Sequence, residues 1–126
     1  MNKILAAFLF AALLFTGFSV YAGEDHIAQA LEHAKEAIAH GEQKHADVLT
    51  EHAQVSLDHA KMAEKMRKDP HLTQAIKSLE ESIKHGKMGH ADVATEHAKE
   101  ATNHLDAATK HAKEAMEHLK SYQKKH

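Results

Sequence analysis

From residue 24 onward, apolar side chains return every three or four positions. Ile27, Leu31, Ala34 and Ile38 form one such series, and Leu72, Ile76, Leu79 and Ile83 form a second. Ala91, Ala94, Ala98, Ala101, Leu105, Ala108, Ala112, Ala115 and Leu119 form the longest. This spacing lays a stripe along one face of an α-helix, with charged residues opposite. It predicts helices over 24–40, 45–68, 70–85 and 90–122. Gly41 and Gly86 fall where two helices should end, as glycine caps would. Asp69 and Pro70 suit the N-cap and first position of the third helix. The fourth helix is long enough for its end to project.

The pattern is duplicated. Residues 71–104 repeat residues 26–59 at an offset of 45, and H-G-x-x-x-H-A-D-V-x-T-E-H-A occurs from His40 to Ala53 and again from His85 to Ala98. Each half is a helical hairpin, spanning about 26–68 and 71–122. The expected fold is therefore all-α, an antiparallel four-helix bundle built from a duplicated hairpin. Large aliphatic residues are few and alanine is abundant, so the core should be thin and the metal-free stability modest.

Residues 1–22 read differently. Lys3 precedes the apolar run Ile4–Phe15, and Val20-Tyr21-Ala22 has the small-residue pattern of a cleavage site. This is the pattern of a secretory signal peptide, and the run is short for a membrane span. Cleavage after Ala22 would leave Gly23–His126 as a single exported domain without a membrane anchor. The chain has no cysteine, so disulfides and thiolate ligands are excluded. Its net charge of −2 lacks the basic footprint that nucleic acid requires. An exported chain of this kind fits the bacterial periplasm, and a monomer is expected.

Histidine changes the picture most. Of 14 histidines, all but His126 fall on a seven-residue grid: His26, His33, His40; His45, His52, His59; His71, His85; and His90, His97, His104, His111, His118. Ser78 occupies the slot between His71 and His85. Seven residues are two helical turns, so each series is a stripe. Imidazole is the commonest side-chain ligand for transition metals. Neighbours in one stripe stand about 10.5 Å apart along the axis, too far to share an ion bound at about 2 Å.

Folding the hairpins brings stripes together. In an antiparallel pair, residues whose numbers share a constant sum lie level. His40 and His45, His33 and His52, and His26 and His59 share one sum; His85 and His90, and His71 and His104, share another, with Ser78 facing His97. A ladder of imidazole rungs follows, each about two turns from the next. Glu36, Glu100 and Glu114 each lie three residues after one stripe histidine and four before the next. Each is placed to be a third ligand or to orient an imidazole. The helix-two histidines are flanked by apolar residues, and burial there should lower their pKa and keep them neutral. Met66 and Met88 are better read as packing or loop residues than as soft ligands.

The apolar leader, the heptads from His33 to His40, the H-G-x-x-x-H turns and the duplication resemble the small metal-binding protein family. Members are periplasmic, histidine-rich four-helix bundles that take up several divalent ions, with copper prominent. The resemblance covers essentially the whole chain. It implies that the stripe histidines are the ligands, with the Ser78 position a departure, and that the role is metal buffering or scavenging. Among first-row divalent ions Cu(II) leads by affinity order, with Ni(II) and Zn(II) behind. Enzyme signatures are missing: Glu42-x-x-His45 is the one Glu-x-x-His and it straddles a turn, and neither H-E-x-x-H nor C-x-x-C-H occurs. An alternative on the same residues is a pH-responsive structural or interaction bundle, since so many imidazoles would charge together below about pH 6.5.

Overall fold

The computed structural model describes residues 22–125. The leader expected at 1–22 lies outside the described residues, apart from its last residue, Ala22, which opens the first helix. Four helices make up the described residues: α1 (Ala22–Glu42), α2 (Ala46–Met66), α3 (Pro70–Lys87) and α4 (Ala91–Lys124). They form two hairpins, α1 with α2 and α3 with α4, which pack through α1 against α4 and α2 against α3. Each end falls within two residues of the sequence expectation. None of the described helices is long and apolar enough to cross a membrane.

The core is as thin as the composition implies. Leu49, Leu72, Leu79 and Leu105 are its largest fully buried apolar side chains, set among alanines such as Ala34, Ala53, Ala75 and Ala98. Alanine keeps the helices close, and two serines exploit that closeness. Ser56 of α2 donates to the Ala30 carbonyl of α1 at 2.6 Å, and Ser82 of α3 donates to the Ala94 carbonyl of α4 at 2.7 Å. Both hydroxyls are buried and hydrogen-bonded, as burial of a polar group requires. They tie each hairpin together where apolar contact is scarce.

The two hairpin turns differ from the expectation in one respect. Gly41 and Gly86 lie inside the last turns of α1 and α3, and the left-handed cap falls three residues later, at Lys44 (φ 64°) and Gly89 (φ 75°). The His45 N–H reaches the His40 carbonyl (3.0 Å) and the Lys44 N–H reaches the Gly41 carbonyl (2.9 Å); His90, His85, Gly89 and Gly86 repeat this pattern. This is a Schellman cap. What Gly41 and Gly86 supply is clearance. A Cβ on Gly41 would overlap the Thr95 hydroxyl and come within 2.6 Å of Leu49 Cδ1; one on Gly86 would overlap the Thr50 hydroxyl. Each turn thus receives a threonine from the other half, and the two hairpins interlock at one end of the bundle.

At the opposite end Asp69 is the α3 N-cap, accepting from the His71 N–H at 2.8 Å, and Pro70 follows it. The 34-residue α4 outruns its neighbours, of 18–21 residues, and beyond Ala112 it is largely exposed.

Candidate metal centres

The stripe histidines face each other across each hairpin. His26 Nδ1 lies 2.9 Å from His59 Nδ1, and His33 Nδ1 lies 3.3 Å from His52 Nδ1. His71 and His104, and His85 and His90, approach through Nδ1 at 3.4 Å. The His40 and His45 rings have centroids 6.1 Å apart. The Schellman geometry places these last two pairs. Its long bond joins the first and second histidines of each H-G-x-x-x-H, and the two imidazoles lie where an apolar contact usually closes that motif.

Eight of the rings contact a partner one heptad away from level. His40 stacks on His52 (5.4 Å between centroids) and His33 on His59 (6.2 Å); in the second half His85 stacks on His97 (5.5 Å) and His71 tilts against His111 (5.0 Å). The stripes interleave in a zigzag. A helical side chain leans toward its own N-terminus. In an antiparallel pair the two leans are opposed, so His33, His40, His52, His59, His71 and His85 each settle between a level partner and a diagonal one.

Carboxylates complete two of the diagonals. Ligand atoms of Glu36, His40 and His52 lie within 4.8 Å of one another, and so do those of Glu81, His85 and His97. The second group is the first displaced by 45 residues. Glu81 was not among the acids singled out by sequence. Its N-terminal flank is Ser78 rather than histidine, so Glu81 does not stand between two stripe histidines as Glu36 does. The repeat offset applied to Glu36 identifies it.

The other acids are placed differently. Glu100 accepts from His97 Nδ1 at 3.3 Å, so His97 is flanked by Glu100 on its own helix and by the Glu81 group across the seam. Glu114 is exposed and enters neither cluster. His118 sits on the exposed overhang of α4 and pairs with no histidine ring among the described residues. His45, His90 and His111 are exposed, whereas the other paired histidines are half-buried. Met66 and Met88 are about half exposed, in keeping with a packing or loop role.

On α2 the electrostatics favour neutral rings at His52 and His59. Burial, then the His33 charge, with His40 adding to it, hold His52 below the ordinary imidazole value of 6.5 despite the opposing Glu36 and Glu51. Burial, then His26 and His33, do the same for His59. A neutral imidazole has the free lone pair that a metal needs. The Nδ1 of His40 is buried and has no hydrogen-bond partner, a condition that costs about 1–3 kcal/mol when nothing relieves it. His40 is also a member of the Glu36 cluster.

Fold and site together define a helical bundle with imidazole-lined seams and two built groups of metal-ligating side chains. The chain belongs to the small metal-binding protein family, whose model matches residues 1–108. None of the curated proteins compared with it matches.

Proposed function

We propose that this chain is exported to the periplasm, loses residues 1–22 and there buffers or scavenges divalent transition metals, Cu(II) foremost and Ni(II) and Zn(II) after it. The observation that carries this reading is the repeated cluster: Glu36, His40 and His52, then Glu81, His85 and His97. Two nitrogens and one carboxylate oxygen suit Cu(II), Ni(II) or Zn(II) and leave open positions for water. Both clusters sit near the interlocked turns, which fix their backbone. The remaining seam histidines, His26, His33, His45, His59, His71, His90, His104 and His111, serve as further ligands in pairs. His118, Glu100 and Glu114 are candidates at the edge of this array. Many similar, open sites favour capacity over selectivity, because no single cavity excludes the wrong ion.

Family and clusters point to metal binding. The test is equilibrium dialysis of residues 23–126 against Cu(II), Ni(II) and Zn(II) at pH 7.5. Several ions retained per chain, copper most tightly, is the expected result. Weak retention together with loss of helicity below pH 6 would favour the pH-responsive bundle instead.

A further inference from the structure

At the end of the bundle away from the turns, one histidine is held by a carboxylate that no ligand cluster uses. Asp69 is buried, and its two oxygens have separate tasks. Oδ1 accepts from the His71 backbone N–H at 2.8 Å and caps α3. Oδ2 lies 3.0 Å from Nδ1 of His111 on α4. An ionised carboxylate only accepts, so a neutral His111 carries its proton on Nδ1 and leaves the Nε2 lone pair free. Arg67 adds a second restraint, donating from Nη2 to the His111 carbonyl at 3.0 Å.

The ring facing His111 is His71. Their centroids are 5.0 Å apart with planes inclined by 57°, the shortest separation among the described ring pairs. Two imidazoles bound to one ion at about 2.0–2.1 Å, with an angle of roughly 90–109° between the bonds, hold their centroids roughly 4.5–5.2 Å apart. The observed separation lies inside that range before any ion is bound. His111 is exposed, so an ion has direct access. The first half lacks this arrangement: at the 45-residue offset Asp69, His71 and His111 become Glu24, His26 and Met66.

We propose that His71 and His111 form a third metal site for a first-row divalent ion, with Asp69 as a positioning residue that grips His111 Nδ1 and presents Nε2 outward. The site rests on the metal-binding reading above and differs in construction from the two clusters, whose glutamates face the ion directly. A carboxylate behind a metal-bound histidine fixes the tautomer, orients the ring and raises its basicity. Here the same carboxylate caps α3, so the site forms only when α3 and α4 have paired.

The test is a Zn(II) titration of residues 23–126, labelled with 15N, followed through long-range correlations of the imidazole rings. In the metal-free protein His111 should be the Nδ1–H tautomer, and Zn(II) should shift its Nε2. Asp69→Asn keeps the N-cap, since Asn caps as well as Asp. Its amide presents N–H to His111 and so inverts the tautomer. One Zn(II) should then bind about 10- to 100-fold more weakly. His111→Gln, which spares the cap, should lose that ion entirely. The His40, His52, His85 and His97 rings should respond to Zn(II) as before in both variants. An Nε2–H tautomer in the wild type, or unchanged binding in both variants, overturns the third site and leaves the metal-binding reading intact. No ring shifts at any histidine would overturn both.

Discussion

Replacing Gly41 with alanine tests how the hairpins interlock. The added methyl would overlap the Thr95 hydroxyl and lie 2.6 Å from Leu49 Cδ1 and 3.2 Å from Thr95 Cβ. Neither neighbour yields easily. Thr95 is buried and its hydroxyl donates to the Ala91 carbonyl at 2.6 Å, while Leu49 is fully buried. Overpacking of this kind costs about 1–3 kcal/mol. Alanine returns up to about 1 kcal/mol through its better helix propensity, less near a helix end. The net expectation is a loss of about 1–2 kcal/mol. In urea that lowers the unfolding midpoint by roughly 1 M for a slope of about 1–2 kcal/mol/M. Gly86→Ala should behave alike, since it meets Thr50 and the other methyl of Leu49. Because both share Leu49, the double variant should depart from additivity. Unchanged or greater stability in Gly41→Ala would refute the clearance argument and return Gly41 to the capping role that its place in the sequence suggests.

Two further outcomes follow from the same geometry. Lys44 holds the left-handed conformation that Gly89 holds in the other turn. Lys44→Gly should exceed Lys44→Ala in stability by about 1 kcal/mol, as measured by urea unfolding, because both remove the exposed contact with Asp92 and only glycine relieves the backbone. The pH response has a definite sign. His52 and His59 are held below 6.5 by burial first and neighbouring imidazole charge second, so the unfolded chain takes up their protons before the folded one. Their contribution to stability is intact above about pH 6.5 and is lost as pH falls through their folded values. Unfolding midpoints of the metal-free protein should therefore decline from pH 7.5 to 5. A flat or rising profile would contradict the burial of these rings.

Much of this architecture was legible in the chain. Three- and four-residue apolar spacing located four helices, and the constant-sum rule paired His26 with His59 and His33 with His52, now 2.9 and 3.3 Å apart. Three things were not legible, for physical reasons. The level rule treats a residue as a point at its Cα, whereas side chains lean toward their helix N-termini, and that lean creates the diagonals His40–His52 and His85–His97. Gly41 was read through its backbone freedom, while its need for space depends on Thr95 of the other hairpin, 54 positions away. Asp69 was read as a cap from its neighbour Pro70; its second oxygen reaches His111, which only the docking of α4 brings close. Glu81 was legible through the repeat and was hidden by the serine at position 78.

The central claim is that the two glutamate–histidine clusters across the hairpin seams hold metal. A calorimetric Cu(II) titration of residues 23–126 at pH 7.5, set beside the double variant His52→Gln/His97→Gln, tests it most directly. Each substitution removes the α2 or α4 imidazole of one cluster and leaves the core untouched. The variant should keep its helicity and bind two fewer tight ions than the wild type. The same number bound with the same affinity would contradict the assignment of both clusters.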